Sequence, residues 1–149
     1  MDGKASPFSC PLCRADLAPM IHEGTFWRLV LNWNQDRLGQ AFLALCRHVE
    51  LPTDLTLDEW DELRELLRDA LDRERAAFKP DHFNVMFLGN EVRHLHLHIF
   101  PRYATPREAA GVVFIDAAWP DHYGLEPGPT LTREQLEAVA DLLRSEQAG

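Results

Sequence analysis

The stretch His94-Leu95-His96-Leu97-His98-Ile99-Phe100 alternates histidine with large apolar residues, which is the pattern of a half-buried β-strand. Successive side chains of a strand point to opposite faces. We therefore expect the leucines and Ile99 to face the core and the histidines to share the other face. Threonine, lysine or glutamate would suit a merely solvated face equally well, so three histidines in register indicate chemistry.

Two other interpretations of this face remain open. The first is a solvated strand face that happens to be rich in histidine. The second is a metal site, in which a His-x-His pair and a third ligand from elsewhere would hold zinc and activate water.

The rest of the chain predicts an antiparallel α+β fold. Apolar residues recur at helical spacing after Thr56, and Glu59 three residues later completes a capping box. Gly89-Asn90 is a turn signal, and residues 103–130 are rich in proline with little periodicity, so we expect a partly irregular connection there. The predicted elements are a strand pair (Phe26–Leu31 and Ala41–Cys46), a long helix (Leu57–Phe78), two further strands (Phe83–Leu88 and His94–Arg102) and a C-terminal helix (Thr132–Glu146).

The length and charge of the chain limit its class. With 149 residues we expect one domain spanning 1–149, and no apolar run approaches the roughly 18 residues that a membrane-spanning helix needs. The 15 basic and 24 acidic residues give a net charge of −9, which disfavours nucleic acid as a partner. A phosphorylated metabolite held by a few placed donors remains compatible with that charge. The N-terminus lacks the apolar stretch of a secretory signal, so we expect a cytoplasmic protein without a membrane partner.

The histidine stretch, continued by Pro101-Arg102, resembles the His-φ-His-φ-His-φ-φ motif of the histidine-triad family. Gly89-Asn90-Glu91-Val92-Arg93 is similar to the glycine-led approach to that motif. The upstream segment Gly39-Gln40-Ala41-Phe42-Leu43-Ala44-Leu45-Cys46-Arg47-His48 resembles the family's Gly-His-x-φ-φ-φ-Pro-Lys-x-His segment. The likeness covers roughly Phe8 to Tyr103, which we take as the core of a HIT-like domain, followed by the irregular segment and the C-terminal helix.

The resemblance implies a nucleotidyl hydrolase or transferase. His96, the middle histidine, would take a nucleoside monophosphoryl group and pass it to water or another acceptor, and His98 would assist at the phosphoryl oxygens or the leaving group. The implied substrates are dinucleoside polyphosphates such as diadenosine polyphosphates, or nucleoside phosphoramidates. A homodimer is implied as well.

Cys10-Pro11-Leu12-Cys13 has the spacing of half a four-ligand zinc site, although a redox pair or two buried thiols would also account for it. In the branch of the superfamily that includes the hexose phosphate uridylyltransferases, a similar cysteine pair is completed by a distant histidine and the first histidine of the triad. The matching positions here are His48 and His94. The resemblance thus implies a closed, structural Zn²⁺ site formed by Cys10, Cys13, His48 and His94.

Three amides are candidates for substrate binding. Asn32 stands where family members place a ribose-contacting residue, and Asn90 is a candidate for phosphate contact, because an amide offers both a donor and an acceptor. Either asparagine could instead be a turn residue. Gln40 occupies the position of a fourth family histidine, which removes a titratable group.

Two alternatives to an enzyme remain open. The first is a nucleotide-binding regulatory module with little catalysis, and the second is a zinc-stabilised interaction protein.

Overall fold

A computed structural model describes residues 10–122, 124 and 128–145. The predicted start of the domain core at Phe8 and the predicted end of the C-terminal helix at Glu146 lie outside these described residues. The domain extent of 1–149 stays a prediction for the same reason.

Within the described ranges, five strands form one antiparallel sheet and two α-helices accompany it. The spatial order of the strands is β1-β2-β3-β5-β4, so β5 lies inside the sheet between β3 and the edge strand β4. This architecture confirms the predicted α+β class. The elements are β1 (Met20–Glu23), β2 (Trp27–Leu31), β3 (Ala41–Leu45), α1 (Leu57–Phe78), β4 (His82–Phe87), β5 (His96–Arg102), β6 (Arg107–Ala109), β7 (Val112–Phe114) and α2 (Arg133–Ser145).

Helix α1 has the predicted bounds because both of its ends are encoded locally. Thr56 Oγ1 accepts the backbone N–H of Glu59 at 3.1 Å, and Glu59 Oε1 accepts that of Thr56 at 2.8 Å. This capping box satisfies two orphan donors of the first turn. At the other end, Lys79 adopts the left-handed conformation at φ 52°, and Pro80 prevents further helix.

The two faces of the sheet pack against different parts of the chain. On one face the leucines of β2, β3 and β5 are buried against α1 and α2 in the main core. On the other face Val30, Phe42 and Ala44 pack against Cys10 and Leu12, at a short 3-10 turn near the N-terminus. Since Phe42 pairs with His98 and Ala44 with His96 in the sheet register, His96 and His98 share this second face.

Three strands were not predicted, and β5 begins two residues later than expected. β1 has only four residues and a register shift between Met20 and His22, so its sequence carries no clean alternation. β6 and β7 are three residues each and form a hairpin inside the segment expected to be irregular. β5 begins at His96, which leaves His94 in the loop before the strand rather than on the strand itself.

Candidate active site and metal centre

Strand β5 presents His96 and His98 on the face away from the helices. Its burial alternates as predicted, with Leu97 and Ile99 buried in the core and both histidines half-buried on the other side. The two imidazole centroids lie 4.6 Å apart, and Phe42 meets the His96 ring edge-on with the centroids 5.9 Å apart. Neighbouring β3 thus supplies an apolar support for the His96 ring.

His96 is held by a backbone hydrogen bond. Its Nδ1 atom lies 2.6 Å from the carbonyl oxygen of His94. A carbonyl can only accept, so Nδ1 carries the proton and Nε2 keeps its lone pair. Burial lowers the pKa of His96 and outweighs the opposing effect of this hydrogen bond. The ring is therefore neutral at pH 7, with a basic Nε2.

His98 is stacked on Phe100, with the ring centroids 5.4 Å apart and the planes 13° from parallel. Burial, with a smaller contribution from the charge of His96, lowers the pKa of His98 to about 4. Its Nδ1 atom is buried and has no hydrogen-bond partner among the described residues. His98 therefore remains neutral throughout the physiological pH range and has one N–H to donate.

A cavity of about 430 Å³ opens over this histidine face. It is bounded on one side by the loop between β2 and β3 and on the other by the loop between β4 and β5. The cavity brings together five side chains that the sequence singled out: Asn32, Gln40, Asn90, His96 and His98. Its size suits a small-molecule ligand.

The three amides differ in how they face the cavity. Asn32 Oδ1 accepts the backbone N–H of Asn34 at 2.9 Å, which leaves the Nδ2 amide as the donor. Gln40 is 5% exposed, and its Oε1 is buried with no hydrogen-bond partner within the part of the chain that is described. Asn90 follows Gly89, which turns at φ 65°, and is exposed. Both interpretations of Asn90, a turn residue and a ligand contact, fit this position.

Cys10, Cys13, His48 and His94 converge beside the cavity. Their ligand atoms all lie within 4.8 Å of one another. His94 Nδ1 is 3.4 Å from each of the two sulfurs and 3.1 Å from His48 Nδ1, and Cys13 Sγ is 3.3 Å from His48 Nδ1. The four residues come from the N-terminal turn, the loop after β3 and the loop before β5, so this cluster joins three separate segments.

This geometry fits a tetrahedral metal ion. Zinc bound at about 2.3 Å to sulfur and about 2.0 Å to nitrogen separates its ligand atoms by roughly 3.3–3.8 Å, close to the distances in this cluster. His94 Nε2 lies 2.6 Å from the carbonyl oxygen of Leu45, so Nε2 carries the proton. Its Nδ1 lone pair is therefore directed into the cluster, as a metal ligand requires.

The sequence did not single out a buried ion-pair cluster that includes Arg37 of the cavity wall. Arg37 is 4% exposed, lines the cavity and lies 3.3 Å from Asp116, whose other oxygen lies 2.6 Å from Arg102. Burial alone would raise the pKa of Asp116, but the hydrogen bond and charge of Arg102 hold it below its usual value. Since Asp116 lies far from Arg37 in sequence, no local pattern predicts this cluster.

Comparisons with known proteins show what part of the chain is similar to a known domain. A family model described as the HIT domain matches residues 39–105. No curated protein matches the sequence. The matched residues begin at Gly39 and extend past the end of β5, so they include His48, Gln40 and the complete histidine stretch.

Solved structures share the fold at low sequence identity. A histidine triad protein from Bradyrhizobium japonicum is 20% identical, with a TM-score of 0.70 over 85% of this chain and 88% of that one. A zinc-bound histidine triad family protein from Mycobacterium smegmatis is 17% identical, with a TM-score of 0.65 over 93% and 95%. A hypothetical histidine triad nucleotide-binding protein from Sulfolobus tokodaii is 19% identical, with a TM-score of 0.65 over 85% and 81%.

Neither of the helices in the described part of the chain combines the length and the apolar character that crossing a membrane requires.

Proposed function

We propose that this chain, which carries a histidine-triad (HIT) domain at residues 39–105, is a nucleotidyl hydrolase or transferase that uses His96 as its nucleophile. The observation that carries the proposal is the hydrogen bond from His96 Nδ1 to the carbonyl of His94. It keeps a lone pair on Nε2 of a neutral imidazole at the floor of a cavity. A side chain in that state can form a covalent intermediate at an electrophilic phosphorus.

In the first step, the Nε2 lone pair attacks the α-phosphorus of a nucleotide. A bond forms between nitrogen and phosphorus, and the bond from phosphorus to the leaving group breaks with its electron pair going to that group. The His96 ring becomes cationic, because Nδ1 keeps its proton, and the carbonyl of His94 stabilises this charge. His98, which is neutral, donates its N–H to a phosphoryl oxygen or to the departing group.

In the second step, water or another acceptor attacks the same phosphorus. The nitrogen–phosphorus bond breaks, its electron pair returns to Nε2 of His96, and the acceptor loses a proton to the solvent or to His98. One difficult displacement is thereby divided into two easier ones. The acceptor decides whether the protein acts as a hydrolase or a transferase.

Three polar side chains of the cavity wall are proposed to bind the substrate. Asn32 donates its Nδ2 hydrogens to the ribose hydroxyls, because its Oδ1 is already engaged with the backbone of Asn34. Asn90 contacts the phosphates, and Gln40 contacts the leaving-group side. The substrate class is a dinucleoside polyphosphate, diadenosine polyphosphates included, or a nucleoside phosphoramidate.

We propose a structural Zn²⁺ held by Cys10, Cys13, His48 and His94. All four coordination positions would be taken by protein, which leaves none for substrate or water. The ion would tie the N-terminal turn to the loop that precedes β5. In this way it would stabilise the backbone at His94, whose carbonyl orients His96.

A homodimer in a reducing compartment such as the cytoplasm is proposed as the working form, with neither nucleic acid nor membrane as a partner. Two features support a second copy as the partner. Trp60 on α1 is 40% exposed, and β4 is an edge strand on which Val85 is 37% exposed. Sedimentation equilibrium tests this part of the proposal.

Turnover of labelled diadenosine polyphosphates and adenosine 5′-phosphoramidate by matched variants tests the enzyme proposal. His96→Gly should abolish turnover, while His82→Asn, a histidine change at an exposed position on neighbouring β4, should retain it. Full turnover by His96→Gly together with loss on chelation would instead favour hydrolysis by metal-activated water. Nucleotide binding without turnover would favour a regulatory module. The same hypothesis is supported by Gln40, because its neutral amide cannot transfer a proton as a histidine would. If zinc binds and nucleotides do not, the chain is a zinc-stabilised interaction protein.

A further inference from the structure

The loop between β2 and β3 supplies much of the cavity wall. From this loop and its two ends, the residues that line the cavity are Asn32, Trp33, Asn34, Asp36, Arg37 and Gln40. A segment without regular secondary structure does not keep such side chains in place unless its backbone is fixed by other bonds. The source of that rigidity therefore decides how well this side of the cavity recognises a ligand.

Gln35 provides that rigidity from inside the loop. Its side chain is absent from the cavity wall and is 1% exposed. Its Nε2 atom donates to the carbonyl of Asn32 at 2.6 Å and to the carbonyl of Gln40 at 2.8 Å. Its Oε1 atom accepts the backbone N–H of Gly39 at 2.9 Å. One buried amide thus joins both ends of the loop.

The orientation of this amide is unambiguous. Two of its partners are carbonyls, which only accept, and the third is a backbone N–H, which only donates. A backbone bond from Asn32 N to the carbonyl of Gln40, at 2.9 Å, closes the loop at the same point. The Gln35 amide and this backbone bond share the carbonyl of Gln40, so Gln35 holds the course of the loop between two ends that the sheet already keeps together.

No other side chain meets these requirements at this length. An ionised glutamate would place acceptors against two carbonyls, methionine would keep the volume without the bonds, and asparagine is shorter by one methylene group. Position 35 therefore requires a group of this length that donates twice and accepts once.

We infer that Gln35 is a positioning residue that sets the affinity of the site for the nucleoside part of its ligand by fixing the loop that begins at Asn32. The inference rests on the proposed nucleotide-processing function. Gln35 does not contact the ligand and acts through the backbone of the loop. The reactivity of His96 does not depend on it, since His96 is held by β5 and by the carbonyl of His94.

The experiment compares wild type with Gln35→Met, which keeps the volume of the side chain and removes its bonds. Binding of a panel of nucleoside 5′-monophosphates is measured by calorimetry, and the tightest serves as the probe. Labelling of the protein by adenosine 5′-phosphoramidate is measured in a single turnover as a function of substrate concentration. Gln135→Met is the matched control, because the one bond that Gln135 Oε1 accepts among the described residues is from the backbone N–H of Thr132, at 2.9 Å, at the start of α2.

Gln35→Met should weaken binding of the probe about tenfold, because loss of one well-aligned hydrogen bond to the ligand costs up to about that factor. The labelling rate at saturating substrate should remain within about threefold of wild type, a split between binding and chemistry that general destabilisation does not produce. Gln135→Met should leave both quantities unchanged. Gln35→Asn keeps a shorter amide and should weaken binding in the same direction, which provides the test if Gln35→Met does not fold.

Binding within about twofold of wild type in the folded Gln35 variants would overturn the inference and leave the proposed function intact. A fall in the saturating labelling rate as large as the fall in affinity would also overturn it. If wild type neither binds any probe nor becomes labelled, the proposed function fails and this inference fails with it.

Discussion

The Nδ1 atom of His96 lies 2.6 Å from the carbonyl oxygen of His94, whose own ring nitrogen lies among the side chains of Cys10, Cys13 and His48. His94 thus belongs to the candidate metal centre through its ring and to the candidate active site through its backbone. A change in the cluster is therefore expected to reach the nucleophile through a single residue, without passing through the core of the sheet.

Zinc content tests the candidate metal centre. Purified protein should contain one zinc ion per chain, and the Cys10→Ser, Cys13→Ser double variant should contain none, because a pair of imidazoles alone holds zinc weakly. His96→Ala should retain the ion, since His96 is not part of the cluster. The measurement is metal analysis by mass spectrometry after gel filtration. Retention of zinc in the double cysteine variant would show that the cluster is not the site.

Acid stability tests the burial of His98. An unfolded histidine binds a proton below about pH 6.5, whereas the pKa of His98 in the fold is lowered to about 4. Between these values the unfolded chain holds one more proton at this position, so unfolding takes up a proton and is favoured as the pH falls. The free energy of unfolding of wild type should therefore decrease relative to that of His98→Asn as the pH falls from about 6.5 towards 4.

Urea unfolding of the two proteins at several pH values measures this difference. His98→Asn is the reference because zinc loss at low pH affects both proteins alike. A difference that stays constant across the window, or that grows in favour of wild type, would contradict the burial of a neutral His98.

Asp116→Asn tests the buried ion-pair cluster that lies behind Arg37 of the cavity wall. Arg102 is 2% exposed and lies 2.6 Å from Asp116, so the variant leaves a buried guanidinium without its countercharge. The expected loss of stability is about 3–5 kcal/mol. The control is Asp141→Asn, at a carboxylate that is 71% exposed and pairs with Arg144, for which the expected loss is about 1 kcal/mol or less. Similar small losses in both variants would contradict a structural role for the Arg102–Asp116 pair.

The elements with strong local signals were predictable from the sequence. Helix α1 has its predicted bounds because Thr56, Glu59 and Pro80 act within a few residues of its ends. The alternation in β5 predicted which side chains enter the core, since Leu97 and Ile99 have no polar atoms to satisfy. By contrast, β1, β6 and β7 have only three or four residues each, too few for an alternation of apolar and polar side chains to be recognised. They form by pairing with a neighbouring strand.

Residues of the candidate site were predictable only where the spacing of residues in the sequence or the resemblance to a known family indicated them. The spacing of Cys10 and Cys13 predicts half of a metal site, whereas His48 and His94 entered through the family resemblance. The cavity brings Asn32 and Gln40 to one wall, but the brace between them, Gln35, had no signal in the sequence. Its partners are backbone groups, which every residue has, so the order of side chains does not indicate which of them Gln35 binds.

The most direct test of the nucleotidyl–His96 intermediate is to trap it. The protein is mixed with diadenosine tetraphosphate or adenosine 5′-phosphoramidate labelled at the α-phosphorus, quenched within the first turnover, digested under alkaline conditions that preserve phosphoramidates, and sequenced by mass spectrometry. We expect a nucleoside monophosphoryl group on His96 and none on His98, and no label in His96→Gly. Turnover by wild type with no labelled histidine at any time, or a label on a different residue, would contradict it.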